Sequence, residues 1–108
     1  MQVTIILPLF KDRVFSYNTT LNNIAVTLNF KWNAYTQHYH MDAKLANGTT
    51  VLEGRKLVPS FSIDSSAMAS NGLTGAFMLF PSSYSLLDSG TAMYNLSENF
   101  ALCYFWWT

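Results

Sequence analysis

The chain has 108 residues, half of them hydrophobic and 16% aromatic, with only 11% charged, where globular domains average about 25%. Six basic residues balance six acidic ones, which excludes the electrostatic footprint of a nucleic-acid or anionic-membrane binder and suits a protein that lives in an assembly. The length fits one domain, residues 1–108, burying roughly 65% of its unfolded surface in a single core.

The opening MQVTIILPLF is apolar over the length of a signal peptide but lacks a basic start and a small-residue cleavage site, and Pro8 interrupts it; it reads as a first strand. VFSYNTT places Val14, Ser16 and Asn18 on one face and Phe15, Tyr17 and Thr19 on the other, then meets a tight-turn signal at Leu21-Asn22-Asn23. IAVTLNFKW is the clearest strand: Ile24, Val26, Leu28, Phe30 and Trp32 point to a core, and Ala25, Thr27, Asn29 and Lys31 point away. HYHMDAKL repeats the pattern, with Tyr39, Met41, Ala43 and Leu45 inward and His38, His40, Asp42 and Lys44 outward. Asn47-Gly48 follows, the strongest short hairpin signal, so TTVLEGRKL returns antiparallel.

Beyond Pro59 the composition turns small and polar, which predicts a loop with one helical turn. GLTGAFMLF reads as a buried strand whose two glycines supply a bulge or bend to close a small barrel. PSSYSLLDSG is loop-like, with Leu86 and Leu87 plugging the core, and TAMYNL and FALCYFWW finish the chain. The expectation is an all-β fold: a small antiparallel β-barrel or sandwich of about five to eight strands joined by hairpins. Apolar runs at 5–10, 73–81 and 100–107 fall far short of the roughly 20 residues of a membrane helix, so no integral membrane segment is expected.

Catalytic patterns are sparse. His38, His40 and Asp42 project from one face of a strand and offer metal donors, but their Cα atoms are spaced by about 6 to 7 Å along it and the chain has no third histidine. They read as an exposed polar row, with a metal contact at a subunit interface the remaining alternative. The acids Asp12, Asp42, Glu53, Asp64, Asp88 and Glu98 are scattered, no nucleophile elbow or phosphate-binding glycine loop occurs, and Cys103 sits among aromatics as a small hydrophobe. Neither an enzyme nor a cofactor is expected. The triplets at Asn18, Asn47 and Asn95 match the glycosylation pattern, as chance allows in so Asn-, Ser- and Thr-rich a chain.

The last strand is different because both of its faces are apolar. Phe100, Leu102, Tyr104 and Trp106 form one row and Ala101, Cys103, Phe105 and Trp107 the other. Either the strand is covered on both sides by its own domain, or one row meets another chain, as Trp, Tyr and Phe are enriched in interface cores. The first row is expected inward, leaving Phe105 and Trp107 for a partner. Tyr104, Phe105, Trp106 and Trp107 are the candidate interface residues, with the hairpin tip Asn47-Gly48 a secondary contact.

The order of these pieces is also familiar. The ILPL start with its Phe, the alternating strand that ends at Phe30 to Asn33, the hairpin HYHMDAKLANGTTVLEGRKLVPS with Gly54-Arg55-Lys56-Leu57-Val58-Pro59, and then Gly72-Leu73 and Leu87-Asp88 follow one another. In this the chain resembles the baseplate plug protein family of contractile-tailed bacteriophages. The resemblance implies a structural virion protein at the tail hub, host-cytoplasmic before assembly, present in several symmetry-related copies. It implies baseplate hub, spike and tail-tube proteins as partners, and a role in closing or bracing the central channel. The alternative from a different class is a carbohydrate-binding or adhesin-like module of a tail fibre, since exposed Trp and Asn also serve sugar recognition.

Overall fold

The computed structural model describes residues 1–59, 61–81 and 99–107. In chain order the elements are β1 (Gln2–Leu7), β2 (Val14–Leu21), β3 (Ile24–Asn33), β4 (His38–Leu45), β5 (Thr50–Lys56), the short helix α1 (Ser66–Ser70), β6 (Ala76–Pro81) and β7 (Phe100–Trp107). Among the described residues these strands make two antiparallel sheets, one of four strands in the order β2-β3-β4-β5 and one of three in the order β1-β7-β6. The sheets stay separate and pack as a sandwich rather than closing into a barrel. The expected TAMYNL strand and the plugs Leu86 and Leu87 lie outside the described residues.

Turn chemistry sets the register of the larger sheet. Asn22 and Asn23 both take positive φ, 52° and 63°, so the β2–β3 hairpin closes in two residues with Leu21 opposite Ile24. The β4–β5 connection is longer: Gly48 N–H donates to the Leu45 carbonyl (2.9 Å), Gly48 has φ 90°, and Leu45 N–H reaches the Thr49 carbonyl (2.8 Å). This is a turn followed by a left-handed glycine, with Asn47 Oδ1 accepting the Thr49 N–H at 2.9 Å. Further along, Gly54 (φ 61°) accompanies a register irregularity between β4 and β5.

The inner rows expected from alternation are the buried ones: Val26, Leu28, Phe30, Tyr39, Met41 and Ala43 are at most 2% exposed. From the smaller sheet Leu7, Phe77, Leu79, Leu102 and Tyr104 join them in one hydrophobic cluster. Phe15 stacks on Phe30 with ring centroids 4.7 Å apart. The helical turn expected after Pro59 is α1, capped by Ser65, whose Oγ accepts the Met68 N–H (3.1 Å) and donates to the Val51 carbonyl (2.5 Å). That cap drives Met68 into the core, where it is 1% exposed.

The two glycines of GLTGAFMLF play parts other than the expected bulge, and β6 begins only after them. Gly72 (φ 89°) ends α1, its N–H donating to the Ala69 carbonyl at 3.3 Å. Gly75 lies where the chain passes against β7: any Cβ there would fall well inside contact distance of the Phe105 carbonyl oxygen.

Candidate interaction surfaces

Strand β7 is the centre of the three-stranded sheet, paired to β1 and β6 without a register slip. Central strands are covered by backbone partners at both edges, so what distinguishes β7 is its two faces. Phe100, Leu102 and Tyr104 are 6%, 0% and 0% exposed and Trp106 packs against the core, so the row expected inward does face inward. The opposite row is graded: Cys103 is buried, Ala101 and Phe105 are half-buried, and Trp107 is 69% exposed.

The cross-strand register extends that outer row into a surface. Ile6 and Met78 flank Cys103, Thr4 and Ala76 flank Phe105, and Phe80 stands opposite Ala101. Ile6 is 75% and Phe80 43% exposed. Apart from Gln2 and Thr4 the face is therefore apolar from edge to edge, with no charged side chain on any of its three strands. Burial pushes the Cys103 thiol pKa up, which keeps it in the inert protonated form.

Of the residues named as interface candidates, Tyr104 lies in the core, on the row expected inward, and is not available to a partner. Its ring is wholly buried, 4.9 Å from that of Phe77, and its hydroxyl is the junction between the sheets. It donates to Asn22 Oδ1 in the β2–β3 turn (2.5 Å) and accepts the Gly75 N–H (3.0 Å), while Asn22 Nδ2 donates to Thr74 Oγ1 (3.1 Å). Burial raises the Tyr104 pKa and the Gly75 hydrogen bond partly offsets it. Trp106 is half-buried beside Tyr104, with ring centroids 5.5 Å apart. Phe105 and Trp107 remain on the outer face. Asn47 and Gly48 are exposed at a hairpin tip of the other sheet.

His38, His40 and Asp42 stand on the outer face of β4, each already engaged. His38 Nδ1 donates to the Thr36 carbonyl (2.7 Å), His40 Nδ1 donates to the Gly54 carbonyl (3.1 Å), His40 Nε2 meets Thr36 Oγ1 (2.9 Å), and Asp42 Oδ1 accepts the Gly54 N–H (2.6 Å). Among the described residues no group of three His, Cys, Asp or Glu side chains converges on a point that could hold a metal ion.

One surface residue escaped the sequence reading. Tyr35, in the β3–β4 turn, is 99% exposed, and beside it Lys31, Trp32, Asn33, Ala34 and His40 line a shallow pocket of about 320 Å3. Periodicity is silent about a turn residue, and the only signal available was a large aromatic inside the turn-forming stretch NAYTQ. At the back of this region Arg13 lies over the Trp32 ring, 5.6 Å from its centroid, and donates to the Tyr39 hydroxyl (2.9 Å), which in turn donates to the Asp12 carbonyl (3.1 Å).

Two antiparallel sheets packed face to face, one with a polar outer face and the other with an apolar one, make this a small all-β sandwich protein. No helix among the described residues is long and apolar enough to cross a membrane. The chain belongs to a phage baseplate plug family: the family model described as Cyanophage baseplate Pam3 plug gp18 matches residues 4–107. Its role is accordingly a structural one in the virion tail baseplate, in contact with other baseplate components. No curated protein matches the chain closely enough to add a second comparison. The family expected from the hairpin and its Gly54-to-Pro59 run is the family found.

Proposed function

We propose that the chain is a single all-β domain that plugs or braces the central channel of a contractile tail, in several symmetry-related copies bound to hub, spike and tail-tube proteins. It acts by binding, without a cofactor and without catalysis. The observation that carries this reading is the apolar outer face of the β1-β7-β6 sheet, with Ile6, Phe80 and Trp107 exposed on it and Phe105 half-buried among them. An exposed apolar surface of this kind marks a protein contact. Each large side chain fully covered there contributes about 2 to 3 kcal/mol. Phe105 and Trp107 are the central anchors, and the Asn47-Gly48 tip is a secondary contact.

The test is assembly. Phe105→Ser with Trp107→Ser should leave a folded protein that no longer enters tails, read by the plug content of purified particles. Normal, stable tails carrying the double variant would sink the proposal.

The saccharide alternative draws on the pocket at Trp32, Asn33 and Tyr35. Sugar recognition needs spare hydrogen-bonding groups, whereas Asn33 Oδ1 already accepts the Tyr35 and Thr36 N–H groups, at 2.9 and 3.2 Å, and both His40 ring nitrogens are engaged. The pocket therefore favours a different ligand chemistry from the one a tail-fibre module would use.

A further inference from the structure

The polar side of the sandwich carries features that the apolar face leaves unexplained. The β3–β4 turn is held by its own side chains. Besides the two bonds to Asn33 Oδ1, the Gln37 N–H donates to the Asn33 carbonyl (2.9 Å), and Gln37 Nε2 donates to the Ala34 carbonyl (2.6 Å). The His38 and Thr36 contacts described above tie the turn to β4. At the top of this fixed turn stands Tyr35, 99% exposed. A rigid support lowers the ordering cost of binding, and tyrosine is among the residues that most often anchor an interface.

Charge supplies the second observation. Lys31 is directly opposite His40, and His40 is directly opposite Lys56, so one row crosses three strands on the outer face. With about 5 Å between the Cβ atoms of opposed residues, the lysine positions are about 10 Å apart. His40, fixed by Gly54 and Thr36, is the spacer between them. Lys31 and Lys56 are both exposed, and neither ammonium group makes a hydrogen bond or ion pair among the described residues. The next acid along β4, Asp42, is turned onto the Gly54 N–H, and Glu53 lies beyond it on β5.

We propose that this end of the four-stranded sheet is a second docking surface, which takes a carboxylate-bearing peptide segment of a neighbouring protein. Tyr35 is the anchor, Trp32 forms the pocket wall beside it, and Lys31 and Lys56 pair with carboxylates. Asn33 Oδ1 and both His40 ring nitrogens are engaged internally, so what the pocket offers is chiefly aromatic area and the point charge of Lys31. Flexible Asp or Glu side chains match that offer, and the hydroxyl array of a sugar does not. The surface lies on the opposite side of the sandwich from Trp107 and does not rest on the apolar-face proposal.

The whole chain, labelled for amide NMR, is titrated with an oligoglutamate peptide. Shifts centred on Lys31, Tyr35, His40 and Lys56 are expected, with affinity falling roughly tenfold between about 50 mM and about 300 mM salt. Lys31→Gln with Lys56→Gln should abolish the shifts, and Tyr35→Ala should weaken binding by roughly fivefold with the salt dependence retained. A thermal melt matching the parent shows that these surface variants fold. Trp107→Ser should bind the peptide as the parent does, which separates this surface from the apolar one. No shifts at low salt, shifts centred on Lys44 or Lys11 instead, or oligogalacturonate binding the same residues more tightly than the peptide would each overturn the proposal.

Discussion

The two outer faces of the sandwich cover one core from opposite sides and are finished in opposite chemistry. On β3 and β4 every second residue but Ala25 is polar, so Thr27, Asn29, Lys31, His40, Asp42 and Lys44 give that face to water or to a charged partner. On β7 the corresponding row is Ala101, Cys103, Phe105 and Trp107, and its neighbours Ile6, Met78 and Phe80 continue it. Alternation is thus complete along β4 and lost on β7, whose outer row is apolar like its inner one. The pattern of one strand reports on its surroundings as well as on its fold.

The comparison breaks most severely at Gly75, which allows β6 to begin against β7. Gly75→Ala would drive a methyl group into the Phe105 carbonyl, with the Trp106 Cβ also crowding it at 2.9 Å, so the backbone must part. A loss of about 3 kcal/mol or more is expected in urea unfolding. Gly48→Ala, on the hairpin of the polar sheet, meets open space and suffers only from its positive φ, at about 1 kcal/mol. Equal losses at the two glycines would show that close approach, the feature peculiar to the apolar sheet, is not what Gly75 serves.

Two tyrosines sharpen the contrast between satisfied and unsatisfied burial. Tyr104→Phe removes the hydroxyl that joins Asn22 to Gly75 and leaves a backbone donor without its acceptor, so it should cost about 1 to 3 kcal/mol. Amide exchange should quicken at Asn22 and Gly75 first. The Tyr17 hydroxyl, in contrast, is buried with no hydrogen-bond partner among the described residues. Tyr17→Phe should therefore be neutral or stabilising by up to about 1 kcal/mol. Burial raises the pKa of both phenols. Below the ordinary tyrosine range, near pH 10, both states hold the proton and the contribution of these groups is complete. As pH climbs above that range the unfolded chain ionises first, so stability should fall steadily in alkaline denaturation. Tyr17→Phe should flatten that fall, because it removes a group with a strongly raised pKa.

Local pattern carried much of the fold. The inner rows of β3 and β4, the Asn22-Asn23 and Asn47-Gly48 hairpins and the helical turn at Met68 are all short-range features, and each was legible because alternation or turn chemistry acts over a few residues. The pairing of β1 with β7 joins the two ends of the described chain, and no local signal encodes it. For the same reason Gly75 read as a bulge rather than as a point of contact, and Tyr104, though expected on the inward row, gave no sign of its tie to Asn22. Phe105 and Trp107 were legible as an odd second apolar row, set apart from the inward row of Tyr104 and Trp106, but the half-burial of Phe105 was not. Tyr35 had no periodic context at all, and only its exposure on a fastened turn singles it out.

The smallest effect on folding is expected where the effect on assembly is greatest. Trp107 is 69% exposed at the end of β7, opposite Gln2, so little of its ring contributes to the isolated sandwich. Trp107→Ser should change unfolding free energy by no more than about 0.5 kcal/mol, as surface substitutions do. Phe105, half-buried between Thr4 and Ala76, should cost somewhat more, about 1 kcal/mol, because part of its ring is already out of water. A large loss of stability at Trp107 would mean that the side chain serves its own fold and that the apolar face is an extension of the core. A small loss paired with failure to enter tails would place its binding energy in a contact that the isolated chain does not make. The polar face provides the reference, since Thr20→Ser changes an exposed position on β2 and should alter neither quantity.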